Sequence, residues 1–227
     1  MATGTLFVIA TPIGNLNDLS PRVAETLRYC TTIACEDTRV SKKVFQNIGV
    51  TAHLIAYHDL NETTQVANLV QKLRDGKNLA VVCDAGTPTI SDPGFRIVRE
   101  CQKIHIPVVP IPGPNAAITA LSASGLPTNR FLFLGFPGHK QHARLQLLEE
   151  FRHFEATLIF YESCYRIEAF LQDIAHVMGP QRVISIAKEL TKLHETILTG
   201  TVGDLLSQLP PCKGEFVVLT APPEFVL

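Results

Sequence analysis

The stretch LAVVCDAGTPTISDPGFRIVRECQKI, residues 79–104, decides the fold class. Leu79–Cys83 is a continuous apolar run, as expected of a strand covered on both faces. DAGTPTISDPG, residues 84–94, is polar and rich in glycine and proline, and reads as a loop. Asp92-Pro93 then opens a helix through Ile104. Strand, loop and helix in this order make half of a βαβ unit.

The same alternation extends in both directions. Upstream, strands are predicted at Leu6–Ala10, Thr32–Cys35 and His53–Tyr57. Between them lie helices at Arg22–Cys30, with Ser20-Pro21 as N-cap and first turn, and at Val40–Ile48, stopped by Gly49. A further helix runs from Asn61 to Arg74. Downstream come a strand at Val108–Ile111 and a helix at Pro114–Ser122. This alternation predicts an α/β domain with a mainly parallel sheet.

Gly125-Leu126-Pro127 punctuates the chain, and the rhythm changes after it. Strands are predicted at Phe131–Gly135, Leu158–Tyr161, Arg182–Ala187, Glu195–Thr199 and Phe216–Thr220. Helices are predicted near Arg144–Phe151 and Tyr165–Met178, with a capping box at Thr201–Asp204. This half is richer in strands and mixed. Two α/β domains follow, 1–126 and 127–227.

Composition narrows the function classes. The chain has 227 residues, 46% of them apolar and 18% charged, which excludes global disorder. The net charge of −1 excludes a protein that coats nucleic acid by charge alone, but leaves room for local basic patches. No segment approaches the ~18 apolar residues of a membrane span, and the first residues carry no export pattern. A cytoplasmic protein is expected. Six cysteines, at 30, 35, 83, 101, 164 and 212, form no CxxC pair and read as free thiols. The eight histidines match no metal-ligand spacing, so no metal is expected.

There is no dinucleotide fingerprint, Walker loop, nucleophile elbow or zinc-protease helix. Three loops stand out instead: ATPIGNL at 10–16, DAGTPTISDPG at 84–94 and PGPNAA at 112–117. Each follows a predicted strand, at the sheet edge where ligands of open α/β folds bind. Gly14, Gly86 and Gly113 permit close backbone approach, and Pro12 and Pro88 fix loop shape. None of the three contains lysine or arginine, which disfavours a polyphosphate. Asp84 and exposed carbonyls suit a cationic centre such as an ammonium or sulfonium.

CEDTR at 35–39 sets Glu36, Asp37 and Arg39 at a strand end. These charges either cap a helix and pair locally, or position a polar substrate. Glu162 follows another strand, and KELTKLHET at 188–196 brings Lys188, Glu189, Lys192, His194 and Glu195.

At these residues the chain resembles the tetrapyrrole methylase superfamily, and within it the ribosomal RNA small subunit methyltransferase I family. The resemblance is carried by ATPIGNLNDLSPR (10–22), CEDTR (35–39), HDLNE (58–62) and DAGTPTISDPG (84–94). It continues through PIPGPNAAITALSASGLP (110–127), TLIFYES (157–163), KELTK (188–192) and KGEFVVL (213–219). The ordered set spans nearly the whole chain. In GFPGHKQHARLQ (135–146), Leu145 and Gln146 stand where arginines are common in the family.

The resemblance implies two α/β domains with S-adenosylmethionine held in the cleft between them. It implies homodimers that methylate a cytidine ribose 2′-oxygen in 16S rRNA of the small ribosomal subunit, near the decoding centre. Pro12, Gly14, Asp84, Ala85, Gly86, Thr87, Pro88, Gly113, Ala116, Ala117 and Tyr161 are the expected cofactor residues. Lys188, Glu189, Glu36 and Asp37 are the catalytic candidates, as base or as a cation stabilising the alkoxide. Arg39, Lys42, Lys43, Lys140, Arg144 and Arg152 are the expected RNA contacts. Competing readings are methylation of a tetrapyrrole or other small acceptor, and a non-catalytic S-adenosylmethionine-binding module.

Overall fold

The computed structural model describes residues 2–209 and 214–227. The chain forms two compact units, one ending at Asn115 and the other beginning at Ala116.

The first unit has a five-stranded sheet of β1 (Leu6–Ile9), β2 (Thr32–Cys35), β3 (His53–Ala56), β4 (Leu79–Val81) and β5 (Val108–Ile111). The order is β3-β2-β4-β1-β5, and every pairing is parallel. Period-two alternation sorts side chains onto two faces. Ile9, Ile33, Ala80 and Val82 pack under α1 (Pro21–Tyr29) and α2 (Thr38–Asn47). Leu6, Ala34, Leu79 and Val81 pack under α3 (Glu62–Arg74) and α4 (Phe95–Lys103). Helices cover both faces, which is why the central strands β1, β2 and β4 read as continuous apolar runs. Ser20 caps α1, accepting from the Val23 N–H, with Pro21 in the first turn.

The onward connections from β1 and β2 lead to helices on one face, and that from their shared neighbour β4 leads to the other. Adjacent strands whose connections diverge leave a crevice at their carboxyl ends. The chain loops 10–16, 36–37 and 82–94 all begin there.

The second unit holds α5 (Ala116–Ala123), β6 (Phe131–Gly135), α6 (Gln141–Glu150), β7 (Thr157–Ser163) and α7 (Ile167–Met178). It continues with β8 (Val183–Lys188), β9 (Thr196–Thr201), α8 (Val202–Ser207) and β10 (Glu215–Thr220). Its sheet runs β6-β7-β10-β8-β9, with β6 and β7 parallel and the other pairs antiparallel. The α6, α7 and α8 helices cover the face formed by Leu158, Phe160, Ile184, Ile186 and Val218. The α5 helix packs on β7 and β10.

The division falls ahead of Gly125-Leu126-Pro127, so α5 joins the second unit rather than the first. Its neighbours account for this. The Ser124 carbonyl just after it accepts from Thr199 Oγ1 at 2.8 Å, and the Ala117 N–H donates to the Tyr161 hydroxyl at 3.1 Å. Among the described residues no helix is long and apolar enough to cross a membrane. Cys30, Cys35, Cys83, Cys101 and Cys164 are free and buried; Cys212 lies outside the described residues.

Candidate active site

The polar loops of the first unit are fastened to one another. Thr11 and Gly86 exchange backbone hydrogen bonds at 2.8 and 3.1 Å, and Thr11 Oγ1 donates to the Cys83 carbonyl at 3.0 Å. Thr87 Oγ1 donates to the Pro114 carbonyl at 3.0 Å. The Asp37 N–H donates to Asp84 Oδ1 at 3.1 Å, bringing CEDTR to the same edge. Two glycines make this closeness possible. A Cβ on Gly113 would stand 2.9 Å from the Ala10 Cβ, and Gly86 has φ +92°. Pro12, Gly86 and Pro88 are buried, while Gly14 and Ala85 are exposed.

This edge is acidic. Burial raises the Asp84 carboxyl, and burial together with Asp84 raises that of Glu36. Burial pushes Asp92 up to about 6, with Glu36, Asp84 and Asp59 adding like-charge repulsion. Among the described residues no group of three or more His, Cys, Asp or Glu could hold a metal ion. Asp92 sits inside DAGTPTISDPG, where the sequence marks it only as part of a helix start. Its proximity to Glu36 and Asp59 is tertiary, and no local pattern announces it.

Glu62 was also missed. Its buried carboxylate accepts from the Tyr57 hydroxyl at 2.9 Å, from the Gly94 N–H at 3.0 Å and from the Arg96 N–H at 3.2 Å. It also pairs with the Arg96 guanidinium at 3.1 Å. It thereby holds the far end of the 84–94 loop at the start of α4. Glu62 stands in the first turn of α3, where an acid is common for local reasons, so nothing in the sequence around it marks the tertiary role.

The catalytic candidates separate by environment. Asp37 is the N-cap of α2, accepts from the Arg39 N–H at 2.8 Å and pairs with the Arg39 guanidinium at 2.7 Å. Arg39 holds the Asp37 carboxyl down at about 2, so Asp37 is a poor proton acceptor. The capping reading of CEDTR therefore holds for this residue. Glu189, at φ 51°, pairs with Lys192 at 2.9 Å and accepts from the Glu215 N–H at 3.2 Å. Lys192 keeps its carboxyl below the usual range. Both carboxylates are engaged in local pairs. Lys188 is buried at the end of β8.

In the second unit Tyr161 is half-buried at the end of β7, and its hydroxyl holds the Ala117 N–H at the start of α5. Ala116 lies in the same turn. The neighbouring Glu162 is buried. Its Oε1 accepts from the Ser163 N–H and Arg166 Nε, each at 2.7 Å.

The expected RNA contacts divide likewise. Arg39, Lys42, Lys43, Lys140 and Arg152 are exposed. Arg144 is not: it is 6% exposed, its Nε donates to Asp173 Oδ2 at 2.6 Å and its Nη1 to the His139 carbonyl at 2.9 Å. A guanidinium so enclosed has no face for phosphate, so Arg144 is a structural residue. The polar look of GFPGHKQHARLQ hid a turn that places Arg144 on the inner side of α6.

Residues 5–206 match the family model of tetrapyrrole (corrin/porphyrin) methylases. The chain is 47% identical over 220 residues to ribosomal RNA small subunit methyltransferase I of Xylella fastidiosa (strain Temecula1), covering 95% of this chain and 81% of the relative. It is 46% identical over 220 residues to the protein of that name in Escherichia coli O157:H7, covering 95% and 77%. Two solved structures share the fold. Diphthine synthase has a TM-score of 0.73 at 12% identity, covering 96% of this chain and 89% of that one. Uroporphyrin-III-C-methyltransferase from Thermus thermophilus has a TM-score of 0.68 at 17% identity, covering 96% and 94%. Two α/β sheets, an edge of interlocked loops and a match over nearly all of the sequence agree: the chain belongs to the tetrapyrrole methylase family, within its ribosomal RNA small subunit methyltransferase I group of enzymes.

Proposed function

We propose that this enzyme, acting as a homodimer, transfers a methyl group from S-adenosylmethionine to a cytidine ribose 2′-oxygen in 16S rRNA of the small ribosomal subunit. The observation that carries the reading is the 47% identity, over 95% of the chain, to a relative named for that RNA. The 2′-oxygen and the cytidine come from the sequence resemblance.

The first unit's loop edge fits the cofactor. The loops 10–16, 84–94 and 112–115 contain no cation, and the Asp84 and Glu36 carboxylates beside them complement a sulfonium. The Gly113–Ala10 approach leaves a wall of backbone and small side chains. Pro12, Gly14, Asp84, Ala85, Gly86, Thr87, Pro88 and Gly113 would hold the cofactor on the first unit's side. When bound, S-adenosylmethionine supplies the activated methyl group.

The chain's own residues then position, desolvate and manage a proton. A ribose hydroxyl is a weak nucleophile at neutral pH, so its proton must leave. Of Asp37, Glu189 and Glu36, only Glu36 has its carboxyl raised, by burial and by Asp84, and it is the proposed base. Lys188 is the proposed cation that stabilises oxygen charge.

The reading is tested by supplying labelled S-adenosylmethionine with two acceptors: small ribosomal subunits from a strain lacking this enzyme, and a reduced porphyrin. Label in ribosomal RNA alone is expected. Label in the porphyrin alone would shift the assignment to a small-acceptor methylase. Cofactor binding without transfer to either would favour a binding module.

A further inference from the structure

We infer that the loop 136–140, between β6 and α6, is a fixed platform on which one unpaired nucleotide of the RNA substrate stacks, with Phe136 as the stacking face and Lys140 as the adjoining phosphate contact. This inference rests on the ribosomal RNA reading and adds the residues that would seat the substrate.

Phe136 is 58% exposed, yet its ring is held. It meets Tyr161 edge-on, with ring centroids 5.5 Å apart, and Tyr161 in turn meets Phe133 at 4.8 Å. The Tyr161 hydroxyl is fixed by the Ala117 N–H. The Phe136 ring is therefore oriented from one side and open on the other.

The loop behind it is braced by two ion pairs, Arg144–Asp173, which is buried, and Arg166–Glu162, whose arginine is half-buried. Arg166 reaches the Glu162 carboxylate at 2.7 Å and also contacts the His139 ring. Arg144 bridges the His139 carbonyl and Asp173, and Gln141 Nε2 donates to Asp173 Oδ1 at 2.9 Å. These bonds fix the backbone of the loop.

The bracing also sorts charge. The two buried carboxylates, Glu162 and Asp173, each pair with an arginine. The exposed side chains along 136–142 are Phe136, His139, Lys140, Gln141 and His142, with no acid among them. A fixed aromatic ring on a loop that carries Lys140 and no acid matches a polyanion that offers a flat base. Proteins bind unpaired RNA by such stacking, with cations on the backbone. A lone ring among polar groups is a poor match for an apolar protein patch, which would need a wider contiguous surface.

The test measures affinity for unmethylated small ribosomal subunits with wild type, Phe136→Ala, Phe136→Leu, Phe136→Trp and Lys140→Ala. Stacking on one base predicts that Ala and Leu weaken binding about 5- to 100-fold, whereas Trp retains it. Lys140→Ala is expected to lower the slope of log affinity against log salt by about one unit. Affinity of Lys140→Ala for S-adenosylmethionine, titrated separately, is expected to stay unchanged. If Phe136→Ala proves unstable, Phe136→Leu, closer in size, carries the comparison. Binding by Phe136→Leu equal to wild type would overturn stacking and indicate apolar packing against protein. Wild-type affinity in Phe136→Ala, with wild type methylating the RNA, would overturn the platform alone. Failure of wild type to bind or methylate the subunits would overturn both this inference and the functional reading beneath it.

Discussion

Arg144 Nε lies 2.6 Å from Asp173 Oδ2, and both side chains are buried, at 7% and 3% exposure. The pair joins α6 to α7 and supports the loop that precedes α6. Removing one member leaves the other charge buried without its partner, which costs more than the pair contributes. Arg144→Ala is expected to lose about 3–5 kcal/mol of stability. Asp173→Asn added to Arg144→Ala is expected to recover part of that loss. Urea unfolding of the single and double variants checks this. Unchanged stability in Arg144→Ala would return the residue to the solvated surface.

Gly86 is the second test position. Its φ of +92° is one that a β-branched residue avoids, while a Cβ there would meet only Ile13 Cγ2 at 3.4 Å and the Pro114 oxygen at 3.8 Å. The effect of Gly86→Val is therefore expected through backbone strain, of about 1–3 kcal/mol, more than through collision. The loop carrying Asp84, Thr87 and Pro88 shifts, and affinity for S-adenosylmethionine falls. Calorimetric titration against a variant shown to be folded decides this. Wild-type affinity would remove the loop from the cofactor site.

Much of this was legible in the sequence, for a physical reason. A strand buried on both faces cannot hide its apolar run, so Thr32–Cys35 coincides with β2; the partly exposed edge strands Val108–Ile111 and Phe131–Gly135 keep enough apolar residues to coincide with β5 and β6. Ser20-Pro21 fixed the start of α1 because capping is a local property. Where tertiary contacts set the outcome, sequence was silent. The start of α4 at Phe95 rather than Asp92 follows the Glu62 bonds to the Gly94 and Arg96 N–H groups. The burial of Arg144 depends on Asp173, which lies in α7 and has no marker in the sequence around Arg144. Asn61 precedes α3 but makes no side-chain cap; it accepts from the His58 N–H and donates to the Ala56 carbonyl instead.

Asp92 gives a pH signature. Burial raises its carboxyl from 3.8 to about 6, so the folded state binds its proton more tightly than the unfolded chain does. Its contribution to stability is full below about pH 4 and is lost as pH rises through about 6. Asp92→Asn is expected to be more stable than wild type above pH 6, with the gain vanishing toward pH 4. Melting temperatures of both proteins from pH 4 to 8 measure this. A pH-independent difference would contradict the raised pKa.

The buried thiols give another. Burial pushes Cys30 up to about 12 and Cys101 up to about 11, and raises Cys35 and Cys83 as well. Such thiols carry little thiolate at neutral pH and are shielded. Alkylation at pH 8 followed by peptide mass analysis is expected to leave Cys30, Cys35, Cys83 and Cys101 unmodified until the protein is unfolded. Rapid labelling of any of the four in native protein would place that side chain at the surface.

The central claim is the reaction, and nucleoside analysis tests it most directly. Small ribosomal subunits from a strain lacking this enzyme are incubated with it and with S-adenosylmethionine carrying a labelled methyl group. Their RNA is digested to nucleosides and separated. The label is expected in 2′-O-methylcytidine, at one position of the small-subunit RNA. Label confined to a base-methylated nucleoside, or no label in RNA from subunits that the enzyme demonstrably binds, would contradict it.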